Sequence, residues 1–176
     1  NSYGTIDKEA LPNAPYIWSF LLSKIENAYG AAGMIGNLYA ESRLRSNDLE
    51  GIYEKSLGKT DEQYTKEVDN GTYKKFTTDS AGYGLVQWTS SKRKQGLLEY
   101  AKEQKKSIGD LQMQLDYFWI ELNNNYKDVL SALKSAKSVK EASNKVVLEY
   151  EIPKDRSNSV LEKRAKFGEM LKLACN

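Results

Sequence analysis

Residues 31–42, Ala-Ala-Gly-Met-Ile-Gly-Asn-Leu-Tyr-Ala-Glu-Ser, are apolar nearly all the way round when wound at helical pitch. A helix with no polar face to give to water has to be buried on all sides. The segment is therefore expected to form a buried helix. Gly33 and Gly36, three residues apart, remove the side chains that would hold a neighbour at a distance. At its end stands a carboxyl, Glu41.

The flanking sequence reads as further helices. One is predicted to begin at the N-cap Asn13, carry Ile17, Leu21, Ile25 and Ala28 on one face, and end at Gly30. Thr60 and Gln63 match a capping box for a helix over 61–69, and Ser138 and Glu141 match another for a helix reaching Tyr150, where Pro153 stops it. Residues 91–105, 110–123 (Leu111, Leu115, Phe118 and Leu122), a short stretch at Val129–Leu133 and a final run with Val160, Leu161, Ala165 and Leu171 complete the set. Residues 43–59 read as loop or short strand, and 72–88 as a small hairpin. The expected class is mainly α (α+β), one domain over 13–176 with a small β-hairpin or loop insertion, preceded by a leader or linker over 1–12.

Composition removes several kinds of chemistry. The 176 residues include no histidine and one cysteine, Cys175. Ser-His-Asp and Cys-His catalysis, an internal disulfide and Cys-ligated metal are excluded. No metal or organic cofactor is implied. Cys175 is read as an apolar filler on the last helix. A net charge of +2 gives no nucleic-acid footprint, and no apolar run reaches the roughly 18 residues that span a membrane. A chain opening on Asn1 is expected to be part of a larger or processed protein.

Three segments remain as candidates. A carboxyl ending an apolar helix is expected to have its charge disfavoured by burial and by the helix end, which suits a general acid for glycosidic cleavage. The alternative for Glu41 is a surface glutamate paired with Arg43 or Arg45. In Gly82-Tyr-Gly84-Leu-Val-Gln87-Trp88, a helical setting and Gln87 in place of a third glycine argue against dinucleotide binding. A ligand approached by backbone near Gly84 and by the Gln87 amide is one reading, a plain turn the other. Trp88 and Tyr83 suit either sugar stacking or the core, and Tyr150 either a cleft or a helix-end core position. Two-carboxylate hydrolysis needs a partner for Glu41. Asp48, Glu50, Glu54, Asp69, Asp79 and Glu151 qualify, with Asp79 preferred for its place three residues before the turn.

Taken together, the segments GNLYAES (36–42), GYGLVQWTSSKR (82–93) and LEYEIP (148–153) resemble the phage tail lysozyme family over roughly residues 15–155. These are wall-cutting domains of tail proteins from phages of Gram-positive bacteria. Their relatives occur in endolysins and mobile elements, and the family is similar to goose-type lysozymes and lytic transglycosylases. The resemblance implies a lysozyme-like fold and an extracellular, cell-wall-associated or virion-associated place of action. The implied substrate is the peptidoglycan glycan strand, cut between N-acetylmuramic acid and N-acetylglucosamine. Glu41 would be the acid and Gln87 a sugar contact beside it, with Gly84, Trp88, Tyr83 and Tyr150 lining subsites in a cleft between the helices and the 43–88 insertion. Ile152 departs from the basic residue common at that position. If Glu41 works without a second carboxylate, the muramic acid 6-hydroxyl attacks instead of water and leaves a 1,6-anhydro end. A further alternative is a glycan-binding module that makes no cut.

Overall fold

The structure, a computed structural model, describes residues 5–175; the first part of the expected leader, residues 1–4, lies outside them. It is mainly helical, as expected. The chain divides into two compact units, Asn1–Leu44 with Ile120–Asn176, and Arg45–Trp119.

In the first unit, α1 (Ala14–Ile25) buries Ile17, Trp18, Leu21 and Ile25. It stops at Ile25, short of the expected end at Gly30, because Glu26 turns left-handed (φ 58°) and Asn27 starts the next helix at once. The Asn27 side chain accepts from the Tyr29 and Gly30 amides, and its own amide nitrogen donates to the Lys134 and Ala136 carbonyls. Gly30 therefore lies inside α2 (Ala28–Ser42), against the backbone of Leu133, rather than ending α1.

Eleven of the fifteen residues of α2 are buried. Around it pack α7 (Lys127–Ser135), α8 (Val139–Val146) and α9 (Asn158–Cys175). A Cβ on Gly33 would lie 2.6 Å from the Ala142 Cβ of α8, and one on Gly36 2.5 Å from the Gly168 amide of α9. The two glycines thus let two different helices touch the backbone of α2. Ser138 caps α8 through the Glu141 amide, but the Glu141 carboxylate returns to Lys137, so only half of the expected box forms. The helix then widens into a π turn, Val147–Glu151, and ends at Ile152 (φ 46°), one residue before Pro153.

In the second unit, α4 (Asp61–Asp69) has the complete Thr60–Gln63 capping box. α5 (Ser91–Gln104) and α6 (Leu111–Asn125, of the first unit from Ile120 on) follow the predicted spans closely. One helix was not foreseen: α3 (Gly51–Leu57) buries no residue, so it has no apolar stripe to detect. The hairpin expected over 72–88 shrinks to its tip. Tyr83 and Trp88 exchange both backbone hydrogen bonds at 3.0 Å, whereas residues 75–79 close a turn on the Lys75 carbonyl.

Candidate active site

Glu41 lies on the last turn of α2, which Arg43 closes in a left-handed conformation (φ 54°). Its side chain is 18 % exposed and pairs with Arg164 of α9, Nη1 to Oε2 2.8 Å. The same nitrogen donates to Asn37 Oδ1 at 3.1 Å, one helical turn before Glu41. Asn37 is fully buried, and its amide nitrogen donates to the Gly33 carbonyl and to Ser143 Oγ of α8. A polar chain thus runs Ser143–Asn37–Arg164–Glu41 across three helices.

The two arginines close in sequence have acidic partners of their own. Residues two apart on a helix do not face each other, and Arg43 turns to Asp7 (2.9 Å) and to the Tyr39 ring (4.7 Å). Arg45 pairs with Asp48 and with Asp61 (2.7 Å). A guanidinium at hydrogen-bond distance stabilises a carboxylate. Burial and helix end therefore do not act on Glu41 alone.

In the second unit, the Gly-rich turn is held from outside as well as across its bridge. Gly84 (φ 81°) donates its N–H to the Asp48 carbonyl and lies against the Gln114 amide, where a Cβ would be 2.7 Å from Nε2. Gln114 in turn accepts from the Leu85 amide and donates to the Ser46 and Ile108 carbonyls. The Gln87 amide nitrogen donates to the Asp48 and Gly84 carbonyls, so its donor side braces the turn. Its Oε1 faces Gly82, where an added Cβ would also meet Glu50 Oε1 and Thr89 Oγ1 at 3.2 and 3.3 Å. Glu50 is itself fixed by the Gly82 amide at 2.9 Å.

Asp79 is 4 % exposed and surrounded by donors. Lys94 Nζ (2.7 Å) and the Ala81 amide (2.9 Å) meet one oxygen; the Tyr64 and Tyr73 hydroxyls (2.6 and 2.8 Å) meet the other. Burial pushes the carboxyl up, but the bonds from Lys94, Tyr64 and the Ala81 amide, with the Lys94 charge, bring it below the ordinary aspartate range. Burial pulls Lys94 down, against the opposing pull of Asp79. The same carboxylate, with burial, raises both tyrosine hydroxyls. This geometry supports a structural role for Asp79.

The aromatic candidates are also interior. Tyr83 and Trp88 have no exposed surface, and Tyr150 is 1 % exposed. Tyr83 packs on Tyr64 and Phe76, Trp88 on Tyr117, and Tyr150 on Tyr126 while donating to Glu121 at 2.7 Å. Burial supports the core reading for each. Among the other acids, Asp69 accepts from Ser107 and the Ile108 amide, and Glu54 is raised by a hydrogen bond with Asp61 and by burial.

A family model described as phage tail lysozyme matches residues 12–171 of the 176. The chain belongs to the phage tail lysozyme family. It is accordingly a phage-type cell-wall lytic domain, of glycoside-hydrolase type, acting on peptidoglycan. No curated protein matches it. The match extends past the region of sequence resemblance into α9, the helix that supplies Arg164. Among the described residues no helix is long and apolar enough to cross a membrane.

Arg164 and Asn37 are the site residues that sequence reasoning missed in this family member. A signal for both was present. Arg164 shares a stripe with the buried Gly168 and Leu171, at i, i+4 and i+7, and Asn37 is a polar residue inside the most apolar helix. Polar groups at core positions need partners.

Proposed function

We propose that this domain is an N-acetylmuramidase that hydrolyses the bond between N-acetylmuramic acid and N-acetylglucosamine, with Glu41 as general acid. The observation that carries the reading is a partly exposed glutamate, 18 % accessible and held at Oε2, in a chain of the phage tail lysozyme family. Glu41 gives its proton to the glycosidic oxygen as the C1–O bond breaks. Water then supplies hydroxide to C1, and the remaining proton restores the acid. The carboxylate formed in between rests on Arg164. Gln87 offers Oε1 as an acceptor for an N-acetyl N–H, and the backbone at Gly84 shapes the turn that carries it. Tyr83, Trp88 and Tyr150 contribute by packing. We place the domain on the virion or the wall of a Gram-positive host, as part of a longer tail protein, lysin or mobile-element hydrolase.

Lytic transglycosylase chemistry is the second reading. It is favoured by the engagement of Asp79, the preferred second carboxylate, with four donors. Mass spectrometry of fragments released from purified peptidoglycan separates the two. Reducing muramic acid ends, absent with Glu41→Gln, are expected for a muramidase. Anhydro ends, one water lighter, would move the assignment to a transglycosylase. Reducing glucosamine ends would move the cut to the other bond. No fragments, with binding intact, would leave a glycan-binding module.

A further inference from the structure

We propose that Arg164 is a positioning residue that acts through Glu41: anchored on the buried Asn37 amide, its guanidinium holds Glu41 Oε2 and so fixes the orientation of the carboxyl group that moves the proton in catalysis. The inference rests on the reading of Glu41 as the acid. One Arg164 nitrogen, Nη1, makes both bonds, at 3.1 Å to Asn37 and 2.8 Å to Glu41. Its two hydrogens are thereby committed in directions that fix the carboxylate plane relative to α2.

The anchor is rigid at each link. The Asn37 amide NH₂ is taken by the Gly33 carbonyl on its own helix and Ser143 on α8, so the amide cannot rotate without losing buried bonds. The backbone of Arg164 is fixed as well, because the Gly36–Gly168 contact leaves a hypothetical Gly36 Cβ only 2.6 Å from the Arg164 carbonyl. The Arg164 side chain is 11 % exposed. Little side-chain freedom is left to lose when it grips Glu41.

The arrangement also favours the reacting state. With a neutral carboxyl the charged Arg164 makes an ion–dipole hydrogen bond, whereas with the carboxylate left after proton transfer both partners are charged and the bond is stronger. The interaction therefore strengthens along the proton-transfer coordinate, which is the condition for raising kcat rather than only tightening binding. A lysine would keep the charge but not the planar donor geometry.

The test is steady-state kinetics on purified peptidoglycan with Arg164→Ala, Arg164→Lys and Glu41→Gln, each checked by thermal melting. Arg164→Ala is expected to lose about 10- to 100-fold in kcat, the scale of a misplaced catalytic group, with KM within about twofold. Millimolar guanidinium chloride should restore part of that kcat, and sodium chloride at equal ionic strength should not. Arg164→Lys should fall between the two proteins. A folded Arg164→Ala with kcat within twofold of the parent, or a loss untouched by guanidinium, overturns the proposal. If Arg164→Ala does not fold, Arg164→Lys decides: an unchanged kcat overturns it, and a several-fold loss at constant KM supports it. An active Glu41→Gln instead brings down the reading of Glu41 itself, and this inference with it.

Discussion

An ion pair in each compact unit invites comparison, because the two are built differently. Lys94–Asp79 in the second unit is 0 % and 4 % exposed, and every oxygen of its carboxylate is met by two donors. Arg164–Glu41 in the first is 11 % and 18 % exposed and tied to the core through Asn37. A saturated, buried carboxylate has no face for a substrate and serves to organise its surroundings. A tethered carboxylate with accessible surface keeps its orientation and can still exchange a proton. The contrast between two acids of similar sequence appeal comes from what surrounds them.

The largest effect should come from the accessible pair. Glu41→Gln is expected to lose at least about a thousandfold in glycan cleavage with little change in melting temperature, on the scale of a lost general acid. Fragment release measured beside the parent checks this, and activity above a tenth of the parent would take Glu41 out of catalysis.

The buried pair should answer in stability instead. Asp79→Asn leaves Lys94 charged and unpaired in the core, an effect of about 3–5 kcal/mol. Urea unfolding should show it, while the activity of the molecules that remain folded stays near the parent value; a large activity loss at full folding would put Asp79 back at the chemistry. This difference should depend on pH. The folded Asp79 carboxyl lies below its ordinary value, so its contribution is complete above the unfolded value of about 3.9 and drains away as pH falls toward the folded one. The gap in unfolding free energy between parent and Asp79→Asn should therefore be constant near pH 6 and narrow below about pH 4. A gap that widened with acid would contradict the pairing.

Gly36→Ala sharpens the comparison at intermediate size. The change gains about 1 kcal/mol of helix propensity, but its Cβ would fall 2.5 Å from the Gly168 amide and 2.6 Å from the Arg164 carbonyl, backbone atoms that cannot swing away. Overpacking of about 1–3 kcal/mol should win, lowering the melting temperature and, through displaced Arg164, the activity. Thr60→Ala, which removes a cap in the other unit, should cost only about 1 kcal/mol and leave cleavage unchanged.

The parts of the molecule that were legible in the chain are those decided by near neighbours. The capping box at Thr60–Gln63, the Ser138 cap, the stop before Pro153 and the burial of α2 rest on residues within four positions of one another. Where nearby signals competed, the reading slipped: Gly30 looked like a helix end, yet Asn27 offered a better start. α3 offered no apolar stripe to read.

The sequence by itself determined most helices, the burial of the apolar segment, the family, and Glu41 as the carboxyl to examine. Only the tertiary structure decided the partners. Arg164 faces Glu41, although 123 residues separate the two. Lys94, fifteen residues beyond Asp79, takes that carboxylate into the core. Helices and caps form from bonds between near neighbours, so their pattern is written contiguously. An ion pair depends on which faces of separate helices meet, and that follows from packing, here from bare glycines that let α8 and α9 close on α2.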